Sequence, residues 1–333
     1  MPFHPATTRY AGSAALAVLL VAALGACGAG ADGSEAPTSV TETAATRTVD
    51  TLRGEVEIPA EVQNVAVVDW QLPPALIDLG VTPAAIYDGY YEGDVAAARN
   101  VPERYVDALA DVPRIGTMDT FSAEAVAAVD PDVILTLGVG LEDETVDRLE
   151  TIAPVLYLDS TDGLTEIQRQ VADALGVSEA FEQLLAEYEQ TAAEIAAEYA
   201  EVIEATTWAS VSAGTGTASW FSEGGATPTG ALLNELGIEP SDVVDPEGFW
   251  GEGRSPETLA DLASTDVVLY VATPDGEPIP GMVPILENEL FQDLPAAEAE
   301  NVFAWTHSSA SCLGWATDAL GELDDILGAV NLR

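Results

Sequence analysis

Lysine is absent from this 333-residue chain, so all ten of its basic side chains are arginine. Against them stand 57 aspartates and glutamates, for a formal net charge of −47. So negative a surface repels nucleic acid and anionic lipid and excludes both as partners. It also keeps a protein soluble in a salty exterior. Cysteine occurs only at Cys27 and Cys312, and histidine only at His4 and His307. His307, in Trp305-Thr306-His307-Ser308, is the one candidate base for a catalytic triad beyond the N-terminal segment. Ser308, Ser309 and Ser311 lie near it, but no Gly-x-Ser-x-Gly elbow presents a nucleophile. Gly214-Thr215-Gly216-Thr217 lacks the Gly-Lys-Ser/Thr ending of a phosphate loop. Nothing resembles a His/Asp/Glu ligand cluster for zinc or manganese. We therefore assign no catalytic residue, no metal ligand and no cofactor.

The N-terminus is informative. Arg9 precedes an unbroken apolar run from Ala14 to Leu24. That run is shorter than the roughly 20 residues a membrane-spanning helix needs, and it fits the apolar region of a signal peptide. It ends in Leu24-Gly25-Ala26-Cys27, which resembles the lipobox of bacterial lipoproteins. That resemblance implies a signal peptide over residues 1–26 and acylation of the Cys27 thiol. The alternative is an ordinary signal peptide with a chance cysteine. With Cys27 lipidated, Cys312 has no partner for an internal disulfide and is expected to be a small packed residue. Residues 27–51 are rich in Gly, Ala, Ser and Thr and read as a flexible tether.

Patterned sequence begins near Arg53. Glu55 to Pro59 alternates like an edge strand. Val65 to Val68, Ala84 to Tyr87, Val133 to Leu135 and Val155 to Leu158 are short apolar runs suited to buried parallel strands. Pro74 to Leu79 and Ala123 to Val129 read as helices between them. Beyond residue 205 the alternation resumes. Ala209 to Ser212, Val267 to Tyr270 and Val302 to Trp305 read as strands, and Thr229 to Leu236, Pro256 to Leu262 and Ala316 to Leu327 as helices. In the middle, Phe181, Leu184, Leu185, Tyr188, Ala192, Ile195, Tyr199 and Val202 keep helical spacing, with no Gly or Pro between 178 and 205. With Ser178 as N-cap this predicts a helix of roughly 26 residues, about 39 Å long. A coiled-coil dimerisation helix is the alternative for this segment.

The two halves echo each other. Leu76-Ile77-Asp78-Leu79-Gly80-Val81-Thr82-Pro83 is matched by Leu233-Asn234-Glu235-Leu236-Gly237-Ile238-Glu239-Pro240. In each, glycine sits where a helix C-cap needs left-handed backbone. Ser122-Ala123-Glu124, leading to Asp132-Val133-Ile134-Leu135, is matched by Ser255-Pro256-Glu257, leading to Asp266-Val267-Val268-Leu269. The expected fold is α/β: two Rossmann-like lobes (52–177 and 206–333) with mostly parallel sheets, joined by one long α-helix (178–205). A ligand cleft is expected between the lobes, beyond the carboxyl ends of the strands. Candidate ligand-binding residues follow strands or sit on Gly-rich loops: Trp70, Tyr87, Tyr90, Tyr91, Trp220, Phe221, Trp250, Arg254 and Trp305, with Phe249 beside them. For each aromatic, core packing is the competing explanation.

Gly54 to Pro59 with the Val65 strand, Leu79 to Pro83, Ile115-Gly116, Ser122 to Leu135 and Leu290 to Trp305 are similar to the periplasmic-binding-protein family that serves iron-siderophore and vitamin B12 importers. The resemblance spans roughly residues 50 to 328. It implies a substrate-binding lipoprotein, extracytoplasmic and held at the cell membrane by its lipid anchor only. Such a protein would act as a monomer and deliver an iron(III)-siderophore complex to the permease dimer of an ABC importer. It also implies that Glu124 and Glu257, one per lobe, dock onto permease arginines; the competing role is stabilising their helix N-termini. The scarcity of cations favours a hydroxamate or mixed-type siderophore over an anionic catecholate. Haem or a corrinoid is the alternative ligand, with His307 or a tyrosine as a possible iron ligand. A purely structural lipoprotein is the third reading.

Overall fold

The computed structural model describes residues 45–87, 99–117, 122–137, 141–160, 162–214 and 219–332. The N-terminal half is built on a parallel sheet of β3 (Val65–Val67), β4 (Val133–Thr136) and β5 (Val155–Tyr157), in the order β3-β4-β5. β3 and β4 are buried at every position, as parallel strands covered on both faces must be. On the outer edge of β3, the predicted strand at 84–87 forms single parallel bridges, Ala85 to Ala66 and Ile86 to Arg114. Helices α1 (Leu72–Asp78), α2 (Glu103–Leu109), α3 (Ala123–Ala128), α4 (Asp143–Glu150) and α5 (Leu164–Leu175) connect these strands and lead out of the sheet.

Before this sheet lies a hairpin, β1 (Thr46–Thr51) paired antiparallel with β2 (Gly54–Pro59). Gly54 at φ 101° makes the tight turn possible. The hairpin is fixed to the sheet by Leu52 N–H, which donates to Tyr157 O at 2.9 Å. This corrects the expected tether: residues 46–51 are a strand, because β2 supplies their hydrogen-bond partners.

The expected single long helix is two. α6 runs Ser178–Glu198 and α7 Ala200–Ala205, separated at Tyr199 (φ −105°, ψ 23°). The interruption coincides with a tertiary anchor: the Tyr199 hydroxyl bonds Asp324, and its ring lies against Gly328. Nor does Ser178 cap the helix. Val177 holds that position, and the Ser178 hydroxyl donates to Asp173 Oδ1 at 2.6 Å.

The second sheet centres on β6 (Thr207–Ala213). Antiparallel β7 (Trp220–Ser222) and the two-residue β8 (Glu239–Pro240) flank one edge. Parallel β9 (Val267–Val271) flanks the other, followed by β10 (Val302–Trp305). α8 (Pro228–Glu235) packs beside it. Pro256–Ser264 is a 3-10 helix, whereas the sequence pattern predicts an α-helix. α9 (Val283–Leu286), α10 (Glu289–Gln292) and α11 (Pro295–Glu298) are single turns, and α12 (Leu313–Ala329) ends the fold.

The internal repeat has a physical basis. Gly80 and Gly237 adopt φ 75° and 74°, and each precedes a residue whose N–H returns to the helix: Val81 to Leu76 O at 2.8 Å, Ile238 to Leu233 O at 2.9 Å. Asp132 accepts from the N–H groups of Gln63 and Asn64 at 2.7 and 2.9 Å, just before β3. Asp266 does the same for Thr207 N–H at 2.9 Å at the start of β6. The repeated aspartate therefore pins the beginning of the neighbouring parallel strand. The serine caps diverge: Ser122 Oγ accepts from Ala125 N–H at 3.2 Å, whereas the Ser255 side chain makes no cap bond.

One apolar cluster runs through both halves. It joins Val65, Val133 and Leu156 to Phe181 and Ile195 of α6, Val267 and Trp305 of the second sheet, and Leu313, Leu320, Leu323 and Leu327 of α12. Residues 44–333 accordingly form one compact unit. Leu320 is wholly buried in this cluster. Leu320→Ala should cost about 2–5 kcal/mol, and wild type and variant should each unfold in one denaturant transition that melts both sheets together. Two separated transitions would contradict the shared core.

Candidate ligand-binding site

On the second half, an aromatic lip stands out. Phe221, half-buried on β7, meets Trp250 edge-on with ring centroids 5.5 Å apart, and Phe249 meets Trp250 at 5.4 Å. Trp250 is 53% and Phe249 49% exposed, unusual for large apolar side chains already stacked on one another. Backbone pairing holds the lip rigid. Gly224 N–H donates to Phe249 O at 2.9 Å, Gly251 N–H to Ser222 O at 3.0 Å, and Glu223 and Trp250 are antiparallel bridge partners. Gly224 is required here, since a Cβ on it would lie 2.1 Å from Gly248 O. Arg254 lies over the Trp220 ring at 5.1 Å, donates to Val243 O at 3.3 Å, and is 4.0 Å from Asp261.

On the first half, Trp70 follows β3 and the Arg99 guanidinium stacks on it at 4.3 Å. The turn through Trp70 into α1 is set by Asp69, whose buried carboxylate accepts from Gln71 N–H at 2.6 Å and Leu72 N–H at 3.3 Å. Burial raises the Asp69 carboxyl to about 6, against the lowering effect of these backbone bonds.

Beyond the ends of β9 and β10, a groove of about 750 Å³ is lined from both halves by Asn100, Glu103, Arg104, Pro274, His307 and Asp318, among others. Asn100 crosses between the halves: its Nδ2 donates to Ala272 O at 2.6 Å, and its backbone takes φ 55°. Arg104 forms an ion pair with Asp318 of α12. His307 Nδ1 accepts from Trp315 Nε1 at 2.9 Å, so its proton sits on Nε2, which lies 3.7 Å from Glu322 Oε2. Burial lowers the His307 pKa, Asp318 opposes this, and Arg104 adds to it.

The expected site residues divide into three groups. Trp70, Phe221, Trp250 and Arg254 keep accessible surface, and the lip brings Phe221 and Trp250 together. Trp220 and Trp305 do not belong to the ligand surface. Both are 0% exposed; Trp305 Nε1 donates to Thr229 Oγ1 at 2.8 Å and Trp220 Nε1 to Ser255 O at 3.2 Å, so each ring is locked in the core. Tyr87 is likewise buried, packed beside Ala66 and Ile134. Tyr90, Tyr91 and Cys27 lie outside the described residues. Glu124 and Glu257 are both exposed on their helices. The Glu124 carboxylate is held below its ordinary range by its own backbone N–H, by the Ser122 hydroxyl and by Arg148. Asn100, Arg104 and Asp318 were not anticipated. Only Asn100, a residue tolerant of left-handed backbone just before a proline-led helix, carries a local signal.

These features meet in a known arrangement. The family model for periplasmic binding proteins matches residues 65–308. The chain belongs to this family. A Bacillus subtilis (strain 168) protein named as a putative ABC transporter substrate-binding lipoprotein, YhfQ, is 23% identical over 261 residues, 75% of this chain and 78% of that one. Among solved structures, the siderophore periplasmic binding protein from the fuscachelin gene cluster of Thermobifida fusca superposes with TM-score 0.68 at 25% identity. It covers 82% of this chain and 98% of its own. Staphylococcus aureus SirA, solved with staphyloferrin B, gives TM-score 0.70 at 18% identity over 85% and 99% of the two chains. The petrobactin-binding protein YclQ of Bacillus subtilis gives 0.66 at 16% identity over 85% and 99%. The family comprises substrate-binding proteins of ABC-type transporters rather than enzymes, and the two-sheet α/β fold with its long helix is the family's fold.

The histidine geometry makes a pH prediction. The unfolded imidazole takes up a proton near pH 6.5, whereas folded His307 resists it. Its contribution to stability is therefore complete above about pH 6.5 and lost as pH falls. His307→Gln should remove that part of the acid destabilisation. Denaturant titrations of both proteins from pH 8 to 5 should show a shallower decline for the variant; parallel curves would refute the assignment.

Proposed function

We propose that the protein is the extracytoplasmic, lipid-anchored substrate-binding component of an ABC importer, and that it captures an iron(III)-siderophore and passes it to the permease dimer. The observation that carries this reading is the rigid, exposed Phe221–Phe249–Trp250 lip in a chain of the periplasmic-binding-protein family. Stacked rings on a glycine-tightened scaffold offer a pre-organised apolar surface for a bulky chelate. SirA solved with staphyloferrin B, the petrobactin-binding YclQ and the Thermobifida siderophore-binding protein support a siderophore as the ligand class. Anchoring through Cys27 is supported by the lipobox-like segment and by the lipoprotein name of the Bacillus relative. The proposed division into lobes is 52–177, with the β1 strand at 46–51 added, and 206–333, bridged by 178–205, with the protein acting as a monomer.

Within siderophores, charge favours a neutral or cationic hydroxamate or a mixed-type chelate. Arg53, Arg104 and Arg169 are paired with carboxylates, and Arg254 is the cation beside the lip. Against a net charge of −47, a strongly anionic catecholate meets little compensation. Haem held by His307 is disfavoured by its tautomer. Binding iron through Nε2 would move the proton to Nδ1, opposite the Trp315 indole N–H, setting two donors against each other.

Two measurements test the proposal. Tryptophan fluorescence of the purified protein should be quenched by ferric hydroxamate or mixed chelates more strongly than by ferric catecholates, ferric citrate, haemin or cobalamin. Trp250→Ala should weaken that binding by roughly tenfold, the cost of an aromatic anchor. Tighter binding of an anionic catecholate would overturn the ligand class, and silence toward every chelate would favour a structural lipoprotein. Separately, the double variant Glu124→Arg/Glu257→Arg should keep its chelate Kd but lower cellular uptake by about tenfold or more. Undiminished uptake would remove docking from their role.

A further inference from the structure

Glu223 follows β7 directly beneath the aromatic lip, as the bridge partner of Trp250, and is 2% exposed. Its Oε2 accepts from Ser210 Oγ at 2.7 Å. Thr229 bonds the same carboxyl group. Thr229 Oγ1 already accepts the Trp305 indole N–H at 2.8 Å, which leaves its own hydroxyl proton to point at Glu223. Oε1, by contrast, is buried and has no partner. Among the described residues, no arginine pairs with Glu223 and no second carboxylate lines the space around it. Among the residues that line the space around Glu223, drawn from β6, α8, the β8 edge and the 244–246 segment, it is the sole titratable one. An isolated buried carboxylate is among the costliest groups a core can hold, so its presence needs an account.

The account lies in that space. Glu223 borders a narrow chamber of about 20 Å³ with Ser210, Thr229, Trp208 and Leu233 on its inner side and the exposed Asn234 and Pro246 at its mouth. One water needs about 10–15 Å³ measured this way, and two to four polar partners. The chamber has room for one and not for two, and the Glu223, Ser210 and Thr229 side chains supply the partners. We propose that Glu223 is kept as a neutral carboxylic acid and that it binds a single ordered water in this chamber, forming an acid–water unit beside the lip. Burial pushes the Glu223 carboxyl up, and the bonds from Thr229 and Ser210 only partly offset it. Ser210 steadies Oε2, which leaves the unpartnered Oε1 to carry the proton toward the water.

The sign of the linkage is set by that raised value. The unfolded glutamate loses its proton above about pH 4.3 while the folded one retains it, so wild-type stability falls as pH rises through this window. Glu223→Gln keeps the shape and a donor but cannot ionise in either state. The ratio of unfolding constants, wild type over Glu223→Gln, should rise by up to tenfold per pH unit from about pH 5 until Glu223 ionises. A ratio that stays constant from pH 5 to 8 would overturn the neutral acid. A high-resolution crystal structure of the unaltered protein tests the water without relying on any variant. One water within hydrogen-bond distance of Glu223 Oε1 is expected; an empty chamber or a protein partner on Oε1 overturns the proposal.

Discussion

The apolar face of α12 is buried against α6 and, through it, against both sheets. Everything else in this protein is arranged around that contact. Leu313, Leu320, Leu323 and Leu327 of α12 share one cluster with Phe181 and Ile195 of α6 and with strands from residues 65 to 305. A chain with one free, wholly buried cysteine among its described residues has no covalent staple to substitute for such a core. Polar ties then fix the approach to α12 on the first half. Ser311 Oγ donates to Gln71 O at 3.0 Å, Leu313 N–H to Gln168 Oε1 at 2.8 Å and Gly314 N–H to Asp78 Oδ2 at 2.9 Å. Cys312 packs there against Tyr105, its thiol pushed up by burial and by nearby Asp78. The long helix is thus one of several connections between the halves, alongside the α12 ties and the bond from Asn100 to Ala272 O.

That scaffold lets a strongly acidic protein present a surface that is neither acidic nor soft. Arginines at the periphery are spent on carboxylates, while the lip of Phe221, Phe249 and Trp250 is held by backbone bonds and glycine contacts. Rigid aromatic surface loses little entropy when a ligand arrives, which suits capture at low concentration. The buried Glu223 beneath it extends the same logic inward: polarity is kept neutral where the core cannot solvate charge.

Much of the fold was legible because its signals are local. Val65 to Val68, Val133 to Leu135 and Val267 to Tyr270 could only be buried strands, and Gly80 and Gly237 could only be left-handed caps. The repeated Asp132 and Asp266 were visible as a pattern, but their task of pinning a strand 69 and 59 residues away was not. The break at Tyr199 escaped because helical spacing continues across it; the anchor at Asp324 belongs to another part of the chain. The hairpin strand at 46–51 escaped because Thr-rich sequence is equally a tether when no partner is known.

The sequence by itself determined the main strands and helices and the doubled α/β plan, since periodicity, caps and strand composition act over a few residues, and whole segments carried the resemblance to the family. Tertiary structure alone decided which aromatics stay exposed. Trp220, Trp250 and Trp305 sit in similar glycine- and strand-end contexts, yet two are sealed by hydrogen bonds to Ser255 and Thr229 and one stands in solvent. It alone decided that Asn100 would reach Ala272, 172 residues away, and that Glu223 would lie in a chamber with room for one water. Burial is set by what packs from a distance, and no local pattern carries that information.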